Sequence, residues 1–312
     1  MRKLYHLVIN ELIKIFAKKA IYVVAIGLII FVIGIAYSTK SEEVEDSWEN
    51  NANSKLIELN KQLDEIEPEY QYLVENDIKE LEYYIDNGIN PYEENLWSFT
   101  LSNINLIIII TLFMVIISSG IMSSEYSYRT IKHLLTRPFS RFYILLAKYL
   151  AINVVALLLI FELIVVSLII GSISFGFDSI NSNFVVFNAI GEPSIQIYSI
   201  YILKRYLFEF ISMMIIMTIS FMLSTIINSS SLAIIIGIST MFSLGTLTNL
   251  FDNYSWGKYL LFPNMNLKQY LDNELGSIEG MTLSFSISID IIYILLFLLI
   301  TWIIFKKKEI KF

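Results

Sequence analysis

Residues 20–37 read AIYVVAIGLIIFVIGIAY, a run without a single charge. A bilayer core is crossed by about 20 apolar residues in helical form, so this run is read as a membrane span. Five further runs follow, at 96–123, 148–171, 206–227, 232–251 and 285–305. Lipid satisfies no backbone polar group, so only helices and closed barrels cross it. Barrel strands are alternating stretches of about ten residues, whereas these runs are continuous and much longer. The expected fold is an all-α polytopic membrane protein with six transmembrane helices. Composition agrees: of 312 residues, 55% are hydrophobic and 16% charged, against about 25% charged in soluble domains. There is no cysteine, which excludes disulfide scaffolds, thiolate metal sites and cysteine nucleophiles. His6 and His133 are the two histidines, too few for a multi-histidine metal centre. The first run leaves through IAYSTK (35–40), which carries no small-x-small cleavage pattern, so it is read as retained.

Charge sets the orientation. Six spans put 1–19, 124–147, the turn at 228–231 and 306–312 on one side. With Lys148 at the mouth of the third span, these segments hold 14 of the 22 basic residues and three acids, Glu11, Glu125 and Glu309. The positive-inside rule makes that side cytoplasmic, with both termini there and the protein in the plasma membrane. Residues 1–19 read as an amphipathic helix in the interface plane: Leu4, Val8, Leu12 and Ile15 share a face, and Lys14, Lys18 and Lys19 reach the headgroups.

The segment 38–95 carries 17 acids and four lysines. It is polar but patterned. Leu56, Leu59, Leu63 and Ile66 form one heptad-like seam, and Val74, Ile78, Leu81 and Ile85 a second, with Pro68 between. The expectation is an extracellular helical hairpin whose charge serves as a solvated face. A lid or an acidic vestibule for cationic cargo is the functional alternative. Beyond it, 172–205 is read as an extracellular loop and 252–284 as an extracellular segment containing Pro263 and the amphipathic stretch Leu267–Leu275.

Residues 124–148 read SEYSYRTIKHLLTRPFSRFYILLAK. Ile131, Leu134 and Leu135 give a short apolar face on a basic helix, Pro138 ends it, and Ser140 is placed to cap the next helix. The result is a short handle between two membrane helices. This stretch resembles the permease subunits of ABC-2-type ABC transporters, which carry E-x-x-x-G-T-x-x-x-L-L-x-x-P-x-S-R-x-x-x-x-x-x-K between their second and third helices. Glu125, Thr130, Leu134, Leu135, Pro138, Ser140, Arg141 and Lys148 match it, and Arg129 stands where the family usually has glycine. FMLS (221–224), YLLFP (259–263) and IFKKKEI (304–310) are similar to the family's fourth helix, outer re-entrant region and C-terminal ending. The long acidic hairpin resembles permeases of Gram-positive peptide exporters, including the phenol-soluble-modulin type.

The resemblance implies a coupling helix that docks in a groove of a cytoplasmic ABC ATPase. Glu125, Thr130, Ile131, Lys132, Leu134, Leu135, Arg137, Pro138 and Arg141 would form the ATPase-coupling segment. It further implies two ATPase copies holding ATP and Mg, and a second copy of the permease or a related one. The outer 252–284 segment would dip back into the membrane, and a hydrophobic or amphipathic cargo such as a peptide or antibiotic would be exported. The chain itself lacks a glycine-rich loop ending in G-K-[ST], since Gly257-Lys258 is followed by Tyr259. No cofactor, metal site or catalytic set of its own is expected, and the basic patches read as membrane flanks rather than a nucleic-acid face.

Glu162 is read as the one midspan acid, either a pathway or gating residue or a buried polar contact. Arg205 and Glu209 are spaced to pair on one helix face. Two other functions stay open: a stand-alone secondary transporter or channel, and a membrane sensor or scaffold using the acidic hairpin.

Overall fold

The first apolar run emerges as one long helix that breaks only at Ala17–Lys18, where the preceding amphipathic helix ends. The computed structural model describes residues 2–41, 48–67, 71–131, 139–188, 191–251, 254–271 and 276–308. In chain order the helices are α1 (Arg2–Phe16), α2 (Lys19–Ser41), α3 (Trp48–Glu65), α4 (Gln71–Asp86), α5 (Leu96–Ser102), α6 (Ile107–Ser127) and α7 (Arg141–Phe175). A β-ribbon follows, β1 (Asn183–Phe187) with β2 (Pro193–Ile197). Then come α8 (Tyr198–Ile226), α9 (Ser230–Phe251), the single turn α10 (Leu261–Asn264) and α11 (Leu283–Lys307).

The protein is a mostly helical membrane protein. Among the described residues, five helical stretches are long and apolar enough to cross a bilayer: Lys19–Lys40, Leu96–Ser127, Arg141–Phe175, Tyr198–Ile226 and Leu283–Lys307. The second is continuous through α5, a 3₁₀ turn at Asn103–Leu106 and α6. Helix α9 has 22 residues, with an apolar run over Ser230–Ser243.

Helix starts carry local signals. Asn95 Oδ1 accepts from the amides of Trp97 and Ser98, both at 2.9 Å, while Ser98 Oγ accepts from Asn95 N at 2.8 Å, a reciprocal capping box on α5. Ser140 caps α7, accepting from Tyr143 N, as its place in the sequence predicts. Gly176, at φ 89°, ends α7.

Helices α6 and α8 form the centre, with α9 laid on both, α7 spanning to α1, α2 and α5, and α11 against α8. Small polar residues allow the close approach: Ser118, Ser119 and Ser123 on α6 and Thr218, Ser220, Ser224 and Thr225 on α8 are all buried. A Cβ at Gly237 of α9 would collide with Ser119 Oγ and lie 3.2 Å from Val115 Cγ1. Ser224 Oγ accepts from Met122 N at 2.9 Å and Ser123 N at 3.0 Å, stapling α8 to α6.

Helices α3 and α4 pack together through Leu59, Val74 and Ile78, flanked by Leu56, Leu63, Ile66 and Leu81. The 172–205 stretch departs from the expected plain loop. Helix α7 runs on to Phe175, α8 begins at Tyr198, and the ribbon pairs Asn183 with Ile197 through Phe187 with Pro193. Aromatic contacts hold it on both faces: Phe184 stacks on Tyr198 with centroids 3.9 Å apart, and Phe187 meets Tyr83 and Tyr84 of α4 at 5.5 Å each. That burial, with Gly191 at φ 76° closing the turn, stabilises a ribbon in an otherwise helical protein.

Of the 252–284 segment, 254–271 and 276–284 are described. Leu261–Asn264 wedges between α8 and α11, burying Leu261 and Met265 against Ile215, Ile219 and Ile294. Asn264 Nδ2 donates to Lys258 O (2.8 Å) and Leu260 O (2.6 Å), and Asn264 Oδ1 accepts from Ser286 Oγ (2.8 Å). The expected amphipathic stretch is a 3₁₀ turn at Leu267–Tyr270, and 272–275 lie outside the described residues.

Candidate functional site

Of the residues singled out by the motif, Glu125, Thr130, Ser140, Arg141 and Lys148 gather at one end of the bundle, where α1, α6, α7, α8 and α11 terminate or begin. Lys148 sits about two turns into α7 and is 1% exposed. A buried ammonium needs partners, and it has three: Glu11 Oε2 at 2.8 Å, Glu125 Oε1 at 3.1 Å and Ile121 O at 3.5 Å. Lys14 closes the set, donating to Glu11 Oε1 (2.8 Å) and Glu125 Oε1 (3.2 Å). Thr130 Oγ1 donates to the other carboxylate oxygen, Glu125 Oε2. Two acids and two lysines make a neutral quartet that ties α1 to α6 and α7. Burial draws the Lys14 ammonium down, but the hydrogen bonds and charges of Glu11 and Glu125 outweigh it and hold its pKa above the ordinary value.

The expected apolar face of α1 packs on the core, and Glu11 lies beside it: Ile15 is buried, and Val8 and Leu12 pack against the same cluster. Leu7, Glu11 and Ile15 are the buried stripe, while Leu4, Val8 and Leu12 are half-buried.

The chain leaves α6 through a tight turn. Tyr128 N donates to Ser124 O (2.8 Å) and Arg129 N to Tyr126 O (3.1 Å), and Arg129 has φ 57°. That left-handed conformation favours glycine. Ile131, expected on a face offered to a partner, is instead 3% exposed and packed in the protein's own core. It anchors the segment rather than presenting it. Lys132, Leu134, Leu135, Arg137 and Pro138 lie outside the described residues.

On the far side of the segment, Arg141 Nη1 donates to Phe305 O (3.1 Å), Lys306 O (2.9 Å) and Lys308 O (3.4 Å), capping the orphan carbonyls of α11. Lys308 Nζ in turn donates to Thr225 O (2.5 Å) and Ile226 O (3.3 Å) at the end of α8, and lies 4.1 Å from the Tyr126 ring centroid. Burial lowers the Lys308 pKa. Ser127 Oγ donates to Asn228 O (2.8 Å) in the α8–α9 turn. Segment 124–148 is thus fastened at both ends to helices distant in sequence.

The model of the family described as "Protein of unknown function (DUF2705)" matches residues 64–311. The chain belongs to the DUF2705 family. Two Bacillus subtilis (strain 168) proteins resemble it. "Uncharacterized protein YhcI" is 32% identical over 324 aligned residues, covering 98% of this DUF2705 chain and 99% of YhcI. "Uncharacterized membrane protein YdbK" is 25% identical over 222, covering 70% and 85%. The DUF2705 match takes in Glu125, Thr130 and Lys148 and leaves Glu11 and Lys14 outside.

Other expected positions fare differently. Glu162 is half-buried on α7 with no hydrogen bond or ion pair among the described residues, and none joins Arg205 to Glu209. A further acid lies in the last apolar run: Asp290 of α11 is 1% exposed, and neither carboxylate oxygen has a hydrogen-bond partner among the described residues. Its signal was plain, an acid inside the 285–305 run. Glu11 was visible only as an acid on a basic helix, and its partner lies 137 residues away.

Proposed function

We propose that the chain is the membrane subunit of an ATP-driven exporter of the ABC-2 type. In this reading six helices cross the plasma membrane, with both termini and segment 124–148 in the cytoplasm and the α3–α4 pair standing outside as a helical hairpin. Two separate ATPases bind ATP and Mg and dock on 132–138, the stretch that Ile131 anchors to the core. A second copy of the chain, or a related permease, completes the assembly. The cargo is a hydrophobic or amphipathic molecule such as a peptide or antibiotic.

One observation carries the reading: Glu125, Thr130 and Lys148, which match the ABC-2 permease pattern, meet in one cluster around the buried Lys148 ammonium. A second supports it, because Arg129 adopts a glycine-like φ where the family usually has glycine. Mechanically, a push on the handle reaches α6 and α7 through the quartet and α11 and α8 through Arg141 and Lys308. Such anchored ends transmit rigid-body motion instead of absorbing it.

Pull-down of a nucleotide-binding partner with the detergent-solubilised chain tests the reading. Burying a leucine is worth about 1.5–3 kcal/mol, so Leu134→Asp with Leu135→Asp releases the ATPase, while Lys132→Ala at an exposed rim costs about 0–1 kcal/mol. Undiminished capture by the double aspartate variant overturns the assignment. A stand-alone transporter gains one supporting feature, the unpartnered Asp290, since intramembrane carboxylates mark ion pathways. Transport that persists without any ATPase and stops with Asp290→Asn decides for it.

A further inference from the structure

An open groove of about 620 Å³ runs up from the basic end between the α1–α2 junction and helices α6 and α9. Its inner walls are apolar, with Ile21, Phe113, Ile117 and Ile234. Gly120 leaves a gap in the wall, because a Cβ there meets no atom within 4 Å. Its mouth is cationic. Lys14 is bound into the quartet, which is neutral, so the charge of Lys18 is in surplus. Lys18 is exposed, and its side chain has no hydrogen bond or ion pair among the described residues. Tyr128 adds a phenol at the same rim.

We propose that this groove binds one anionic phospholipid. The occupant follows from chemistry arranged by depth. An apolar channel within the span accepts an acyl chain, and an unpaired ammonium at the membrane–water boundary accepts a phosphate whose charge no headgroup amine cancels. A soluble anion would gain nothing from the apolar wall, and a neutral hydrocarbon nothing from Lys18. Basic pockets between membrane helices on the cytoplasmic side are used for anionic headgroups in this way. The groove has α1–α2 on one side and α6–α9 on the other, so a lipid seated in it is a wedge between the quartet's helices. The site requires that the helices span a membrane and does not depend on an ATPase partner.

The test is native mass spectrometry of the full chain, purified without any ATPase and titrated with phosphatidylglycerol or phosphatidylethanolamine of identical acyl chains. Wild type retains one phosphatidylglycerol in preference to phosphatidylethanolamine. Lys18→Gln lowers phosphatidylglycerol retention about fivefold, the change expected for one juxtamembrane basic residue, and leaves phosphatidylethanolamine unchanged. Lys268→Gln, at the opposite end, changes neither. Gly120→Trp fills the groove and removes the bound lipid while the unfolding temperature is held. If that variant fails to fold, Lys18→Gln decides alone. Equal retention of the two lipids by wild type, or indifference to Lys18→Gln, overturns the proposal. So does a Gly120→Trp variant that dissociates a dimer with its lipid count unchanged, since the groove would then be closed by a second copy.

Discussion

Lys148 shows how much one side chain controls. Removing it leaves Glu11 and Glu125 with only Lys14 between them, at a site where Glu11 is 7% exposed. Breaking a buried ion pair from one side costs about 3–5 kcal/mol. Lys148→Met is therefore expected to lower the unfolding temperature of the detergent-solubilised chain substantially. Adding Glu11→Gln restores part of the loss, because Glu125 and Lys14 remain as a neutral pair. A double variant as damaging as the sum of the singles would show that the two residues do not act together. At the other end, Glu80 of α4 has its pKa raised, first by burial and then by the charge of Asp77. A carboxyl that binds its proton more tightly folded than unfolded costs stability when ionised, and the cost disappears as pH falls through the raised value. Amide protection in α3–α4 is expected to rise on mild acidification, and Glu80→Gln to be better protected at neutral pH and equal to wild type in acid. Identical pH profiles for the two chains would remove Glu80 as the cause.

Whole elements follow the same logic at longer range. The meeting of α6, α8 and α9 rests on side chains too small to hold them apart. Gly237→Val should push α9 away from Ser119 and Val115, at about 1–3 kcal/mol for overpacking, whereas Gly34→Val, with open space around its Cβ, should be neutral. Thermal unfolding of both in one detergent checks this, and equal losses would mean that the close approach is not what Gly237 provides. The apolar runs were legible as helices because continuous hydrophobicity over such lengths has one solution in lipid. The β-ribbon was not, since its five-residue strands owe their form to Tyr83 and Tyr84 of α4, which come from a distant part of the chain. The burial of Glu11 was not legible for the same reason: periodicity within α1 shows its apolar side but carries no information about Lys148.

At the scale of the molecule, charge separates two ends. The basic end gathers α1, segment 124–148 and the end of α11, and the acidic end gathers α3, α4 and the ribbon. Single cysteines at Lys61, Asn228 and Lys307 can be read without background, because the chain has none of its own. All three positions are exposed. A membrane-impermeant thiol reagent on intact cells is expected to label the first and spare the other two. Labelling at Asn228 or Lys307 but not at Lys61 would invert the topology and take the coupling assignment with it.

The neutral quartet also constrains inheritance. Glu125 and Lys148 lie inside the stretch shared across DUF2705, and Glu11 and Lys14 lie ahead of it. A lineage that loses the acid at 11 leaves two ammoniums sharing the carboxylate of Glu125, and one that loses the base at 148 leaves two carboxylates sharing Lys14. Each single step is deleterious alone, so the positions are expected to change hands together, acid with base or both apolar. Relatives whose first helix has diverged should then carry a compensating change at 148 rather than at the exposed residues beside it, and an alignment in which 11 and 148 vary independently would refute the link.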